Sequence, residues 1–319
     1  MTTKPCRSWS KRTRRDAIAG GIGIGTAVVT GAVPRRGVAT QQTPQASPAS
    51  SGGYARSEPL VAAAWLKAHL TDPGMVVVAF MPVEEAEAEH IPGAEQIDWP
   101  VLEVTDTSDA SLTSWQESVE GLLGVLGITQ DSTVVVYDAG TLFAARLWWI
   151  LHWLGHEQVH VLDGGLAAWK ASGFEVQHGP ITPSESTHLP YNGQPNGTVL
   201  AQLDEVLQAL DDANTTIVDA RTPSEYADGH IPGAVNINYP RNAYDEPPKR
   251  YRPADELLEM YAEAGVTTDR RVIPYCLTGV RSAVTFFTLH LLGFDELALF
   301  TGSWEEWSSD PNTPKATGQ

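Results

Sequence analysis

The chain has 319 residues, a formal net charge of −18 and only two cysteines. That length suggests about two domains at roughly 100–200 residues each, and two cysteines exclude both a disulfide framework and a four-cysteine zinc site. With 42% hydrophobic residues, 19% charged and ten Trp, the composition is that of a soluble globular protein with ample core, and the acidity argues against a nucleic-acid partner.

The charge is uneven. Residues 1–36 carry eight basic side chains against the single Asp16, a net +7, which leaves −25 on residues 37–319. Behind Arg14-Arg15 runs an uncharged stretch from Ala17 to Val33 with five glycines, followed by a Ser/Pro/Gln/Ala-rich segment reaching Tyr54. This order resembles a twin-arginine export signal, and export to the periplasm or exterior is the expectation for residues 1–54. The apolar stretch is short and weakly apolar for a membrane anchor, so no stable span is expected in the mature chain. Gly21-Ile22-Gly23-Ile24-Gly25 follows no strand and opens no βαβ unit, so it is not a dinucleotide loop.

An internal repeat organises the remainder. His90-Ile91-Pro92-Gly93-Ala94 recurs as His230-Ile231-Pro232-Gly233-Ala234, and Leu151-His152-Trp153-Leu154-Gly155 matches Leu289-His290-Leu291-Leu292-Gly293. In the first copy β-branched runs predict strands over Met75–Ala79, Val134–Tyr137 and Val159–Leu162, with a helix over Phe143–Leu154 that is apolar on most sides. In the second they predict strands over Thr216–Asp219, Arg271–Tyr275 and Leu297–Phe300, and helices over Leu200–Leu210, Ala254–Glu263 and Ser282–Leu292. Residues 178–197 have linker chemistry. The expectation is α/β: two tandem domains, 55–177 and 198–319, each a parallel sheet flanked by helices.

Aligning the copies places Cys276 opposite Asp138, each at the end of a strand and before a helix, where α/β active sites form. After Cys276 come Leu277, Thr278, Gly279, Val280 and Arg281. Gly279 allows the backbone to curl so that successive N–H groups face inward at the positive end of a helix, a nest for negative charge. Those N–H groups and Arg281 would stabilise a thiolate nucleophile. The plainer alternative, a small buried hydrophobe, fits this setting less well. Asp138 cannot act as a sulfur nucleophile, so the first copy should be silent. Arg221, closing a strand in Asp219-Ala220-Arg221, is a candidate second bidentate anion holder, half of a structural ion pair with Asp or Glu, or both at once. His230 has an equivalent in the first copy, which favours a turn-stabilising role beside the site over catalysis. Gly155 breaks the helix that His152, His156 and His160 would need to share as metal ligands, so no metal is expected.

This pattern resembles the tandem-domain rhodaneses, the thiosulfate and 3-mercaptopyruvate sulfurtransferases, from about Glu58 to Thr313. The residues that carry the resemblance are the two His-Ile-Pro-Gly-Ala motifs, Asp219-Ala220-Arg221, the loop Cys276–Arg281, Asp163-Gly164-Gly165 and Gly302-Ser303-Trp304-Glu305-Glu306-Trp307. It implies a silent first domain that walls the site and an active second one. It also implies that Cys276 takes the outer sulfur of a small anionic donor as a persulfide and passes it to a thiophilic acceptor, cyanide or a thiol. The loop residues 277–281 would cradle the persulfide, Arg281 and Arg221 would bind the donor, and no cofactor would be needed. One arginine in the loop favours thiosulfate as donor over 3-mercaptopyruvate. Related phosphatases and arsenate reductases use a Cys-x5-Arg loop, one residue longer than Cys276–Arg281, and a non-enzymatic sulfur-carrier module is a further reading. A monomer is expected.

Overall fold

The computed structural model describes residues 52–181 and 189–318. The export arm expected at 1–54 therefore falls outside the described residues except at 52–54, and so does part of the expected linker. Among the described residues no helix is long and apolar enough to cross a membrane.

The first copy runs β1 (Leu60–Val61), α1 (Ala63–His69), β2 (Met75–Phe80), α2 (Val83–Ala88) and β3 (Glu95–Ile97). It continues with α3 (Asp109–Val125), β4 (Thr133–Tyr137), α4 (Ala144–Trp153), β5 (Val159–Leu162) and α5 (Gly165–Ala171). All its strand pairs are parallel, in the order β1-β5-β4-β2-β3. Val-rich β2 and β4 lie side by side, Val76 opposite Val134 and Val78 opposite Val136. Such strands are stable only when helices cover both faces of the sheet.

The second copy repeats the plan with β6 (Leu200–Ala201), α6 (Leu203–Ala209), β7 (Thr215–Asp219), α7 (Pro223–Asp228) and β8 (Val235–Asn236). Then come α8 (Ala254–Glu263), β9 (Arg271–Tyr275), α9 (Val280–Leu291), β10 (Leu299–Phe300) and α10 (Ser303–Ser309). Strands pair as β6-β10 and β8-β7-β9, and a parallel bridge from Val272 to Leu297 joins the two pieces in the order of the first sheet. The thinner join has a cause in the sequence. Val272 donates to the Glu296 carbonyl, but Pro274, two residues on and on the same side of β9, has no N–H to continue the ladder.

The sequence-predicted long strands and the central helices stand within a few residues of the expected bounds. The expected helix Leu200–Leu210 is shorter, because Leu200 and Ala201 pair with β10 and α6 starts behind a Gln202/Glu205 capping box. The expected strand Leu297–Phe300 is regular only at its last two residues.

The two copies meet through α4 and α9, both almost wholly buried. Trp148 packs edge-on to Phe287 with ring centroids 4.7 Å apart, and Trp149 does so with Phe286 at 6.4 Å. His152 and His290, equivalent in the repeat, lie 5.1 Å apart, and burial pulls their pKa values down to about 4 and about 3, so both are neutral at pH 7. One core runs from Val134 and Val136 through these helices to Val272 and Leu299. The two domains are therefore expected to unfold together. Trp149→Ala should cost roughly 3–5 kcal/mol and lower the urea midpoint while fluorescence and circular dichroism still report one transition. Two separated transitions in the unmutated chain would contradict the shared core.

Candidate functional site

The strand β9 delivers Cys276 to its carboxyl end, where a four-residue loop turns into α9. The thiol is 1% exposed and is the one cysteine among the described residues, unpaired. Three contacts fix it. Its N–H donates to Ser303 Oγ at 3.1 Å, its carbonyl accepts from the Trp304 N–H at 3.0 Å, and the Ser282 hydroxyl lies 3.5 Å from Sγ. Ser303 holds φ at 56°, a left-handed conformation that the first copy gives to Gly165 at 54°. The strain of a non-glycine there, of order 1 kcal/mol, is borne by a hydroxyl that ties Cys276 to the start of α10.

Gly279 has φ 86°, and a Cβ on it would sit 2.7 Å from the Thr301 carbonyl and 3.1 Å from Arg146 Nη1. The tight curl expected of Gly279 is thus needed twice, for its backbone angle and for the closeness of its neighbours. Leu277, at the outer edge of the loop, is 38% exposed. Thr278 donates to Glu103 Oε1 at 2.7 Å, Val280 is buried, and Arg281 stands at the first turn of α9.

Arg281 is not a free cation. Both Nη atoms bond the Glu225 carboxylate at 2.8 Å, and the same carboxylate accepts from the Thr222 hydroxyl and N–H in a capping box. The arginine, with help from Thr222, pulls the Glu225 pKa from 4.5 down to about 2.

Arg221 takes the structural alternative open in the sequence. It is 2% exposed, with Nε and Nη2 on Asp219, Nη2 also on the Gly229 carbonyl at 2.6 Å, and its plane over the rings of Trp304 and Tyr275. Asp219 also accepts from the Tyr275 hydroxyl at 2.5 Å. Through Nε and Nη2, Arg221 supports the floor of the domain as the structural half of an ion pair with Asp219. Such a pair is costly to break, about 3–5 kcal/mol when one partner is removed. His230 likewise stacks on Tyr226, donates from Nδ1 to the Tyr226 carbonyl at 2.8 Å, and bridges by backbone to Ala316. His90 bonds the Ala86 carbonyl in the same way in the first copy, which gives both histidines a turn-stabilising role.

Sequence reasoning missed what the first copy contributes. Glu103 reaches Thr278, and Arg146, from α4, reaches the Gly279 carbonyl at 3.4 Å and Thr301 Oγ1 at 3.0 Å. Neither had a signal in the sequence, because their partners lie more than 130 residues away.

The loop of the first copy shows what such a nest does to an anion. Asp138, in the place of Cys276, is buried and accepts from the N–H groups of Gly140 at 2.7 Å and Ala144 at 2.9 Å. Burial raises its pKa, while backbone N–H groups along residues 140–144 act against that rise. Over the same end of the sheet lies a loop of the second copy. Pro248 and Arg250 crowd Gly164, and Arg250 pairs with Asp163 at 3.0 Å. Asp163 also accepts from the Tyr251 N–H. Among the described residues no group of three or more His, Cys, Asp or Glu could hold a metal ion; His156 bonds the Ser132 carbonyl and His160 the Glu58 carbonyl.

The rhodanese-like domain model matches residues 62–172 and again 202–310. A putative thiosulfate sulfurtransferase of Haloferax volcanii is 33% identical over 84% of this chain and 99% of its own length. The mitochondrial thiosulfate/3-mercaptopyruvate sulfurtransferase 1 of Arabidopsis thaliana is 30% identical, covering 88% of this chain and 84% of the relative. The crystal structure of the 3-mercaptopyruvate sulfotransferase SseA from Escherichia coli superposes with a TM-score of 0.67 at 31% identity, covering 78% of this chain and 99% of that one.

Because Glu225 titrates lower in the folded chain than when unfolded, its ionised form stabilises the fold above about pH 4.5, and that share is lost as pH falls towards about 2. Glu225→Gln should therefore flatten the fall of the urea midpoint across that window. Parallel curves for the two proteins would show that the Arg281 pairing contributes nothing to acid stability.

Proposed function

The chain belongs to the rhodanese family of sulfurtransferases, with two copies of the domain, and we propose that it moves sulfane sulfur from thiosulfate to a thiophilic acceptor through a persulfide on Cys276. The observation that carries this reading is a single described thiol, shielded from water, at the strand end where a glycine-curled loop opens a helix. In the first half-reaction the Cys276 thiolate attacks the outer sulfur of thiosulfate. The new S–S bond forms as the old one breaks, and sulfite leaves with the electron pair. In the second, cyanide attacks the terminal sulfur, thiocyanate departs and the thiolate is restored. The enzyme sulfur carries the group, so the cycle requires no organic cofactor. The buried Ser282 hydroxyl and the loop N–H groups supply fixed dipoles to the anionic sulfur.

A second donor is favoured by one specific contact. Arg281, bonded twice by Glu225, offers less free positive charge than a dianion such as thiosulfate would use, which suits the monoanion 3-mercaptopyruvate. Relatives named for each donor occur among the similar proteins.

The purified protein is expected to form thiocyanate from thiosulfate and cyanide, and Cys276→Ser to abolish it. Equal turnover by the serine variant would overturn the assignment of the nucleophile, and a 100-fold preference for 3-mercaptopyruvate in a parallel assay would reverse the choice of donor. Export through the twin-arginine route is proposed on the order of charges and apolar residues in 1–54. Replacing Arg14-Arg15 by Lys-Lys should retain the protein in the cytoplasm, and normal export of that variant would refute the route.

A further inference from the structure

Arg146 is unusual for a buried charge. It is 0% exposed, and its guanidinium lies 5.0 Å from the ring of Trp149 and 5.4 Å from that of Trp115. Nη2 donates to the Leu102 carbonyl at 2.8 Å, Nη1 donates to Thr301 Oγ1 and the Gly279 carbonyl, and Nε is buried with no partner. No carboxylate hydrogen-bonds to it among the described residues. A cation removed from water without a bonded counter-ion is expensive, and a hydrophobic side chain of similar volume would fill the space at lower cost if packing were its only role. Its neighbours say what the charge faces. Burial draws the arginine down to about 10, so it remains a cation at pH 7, and the charges that oppose this pull belong to Cys276 and Glu103. A Cβ on Gly279 would press to 3.1 Å from Nη1 and to 2.7 Å from the Thr301 carbonyl, so the bare backbone leaves room for this approach.

We infer that Arg146 of the first domain is a positioning residue for the catalytic loop of the second, holding the Gly279 carbonyl outward and providing the fixed positive charge that a Cys276 thiolate or persulfide meets. The loop N–H groups can then point at the sulfur because the carbonyl of the same turn is engaged elsewhere. The other ionisable groups around the loop are Arg281 with its partner Glu225, Glu103 on Thr278, and Tyr239, whose surroundings include Arg281, Cys276 and Asp138. Arg281 also faces Cys276 but carries Glu225 as a bonded carboxylate, whereas Arg146 has no bonded carboxylate among the described residues. This inference rests on Cys276 being the reactive thiol of the proposed function, but not on the identity of the donor.

The test is therefore run without a sulfur donor. The full chain and its Arg146→Met and Arg146→Lys variants are treated with iodoacetamide across a pH series, and carbamidomethylation of the Cys276 peptide is followed by mass spectrometry. Near-ultraviolet circular dichroism reports folding. For Arg146→Met the midpoint of the alkylation profile should move to higher pH by about one unit, the size expected on losing a nearby opposite charge. Arg146→Lys keeps the charge but loses the planar fork. Its midpoint should stay near that of the unmutated chain, while kcat/KM for whichever donor is active falls about 10-fold, or about 1.4 kcal/mol. A folded Arg146→Met with an unshifted profile overturns the inference. If that variant does not fold, Arg146→Lys with undiminished kcat/KM, or with no activity deficit against any donor the unmutated chain uses, overturns it instead. Loss of thiosulfate activity in the unmutated chain would sink the donor assignment and leave the alkylation result standing.

Discussion

Two helices that cannot face water meet between the domains. Because α4 and α9 are apolar on nearly every side, each domain alone would expose a row of Trp, Phe and Leu, and burying them against each other makes one core of two sheets. Everything at the site follows from that packing. α9 begins at the Cys276 loop, so fixing the helix fixes the loop, and α4 follows the loop that starts at Asp138, so the same contact sets the second loop. A polar side chain one turn into α4 has no route to water. Arg146 therefore ends against the carbonyl of Gly279 in the other domain.

The two loops put one architecture to two uses. Trp304 donates to the Cys276 carbonyl as Leu166 donates to that of Asp138, and Ser282 approaches the sulfur where the Ala144 N–H binds the carboxylate. In the first domain the anion is the protein's own, and residues of the second domain crowd the glycine beside it. In the second the corresponding residue is Cys276, with the Ser282 hydroxyl 3.5 Å from its sulfur. A duplicated fold can keep the same loop geometry while the residue it holds changes from Asp138 to Cys276, because the backbone dipoles belong to the strand-loop-helix turn and not to any side chain.

Charge is handled locally. An acidic body repels anions at long range, yet salt screens that field within about 8–10 Å. Arg281, paired with Glu225, stands at the start of α9, and Arg146, packed against two indoles, donates to the Gly279 carbonyl of the same loop. Arg221 belongs to a different task. It neutralises Asp219 under the floor of the sheet, and the Tyr275 hydroxyl joins Asp219 to the backbone of Ile231 in the repeated motif.

Local pattern was enough for much of this protein. β-branched runs long enough to cross a sheet, such as Val134–Tyr137 and Arg271–Tyr275, announced themselves, and so did the duplication, the α/β class and the cysteine at a strand end. Strands of two or three residues, β1, β3, β6 and β8, left no such trace, since a pair of residues has no periodicity and is held only by its neighbours. The roles of the arginines were beyond the sequence for the same reason. Whether Arg281 is free or bonded to Glu225, and whether Arg146 reaches only its own domain or the next, depend on contacts between distant segments. The sequence by itself determined which backbone turn would hold the Cys276 sulfur, because strand, glycine and helix follow one another along the chain. Which charges surround that sulfur was decided by tertiary structure alone, because electrostatic interaction depends on distance in space and desolvation on what else is packed nearby.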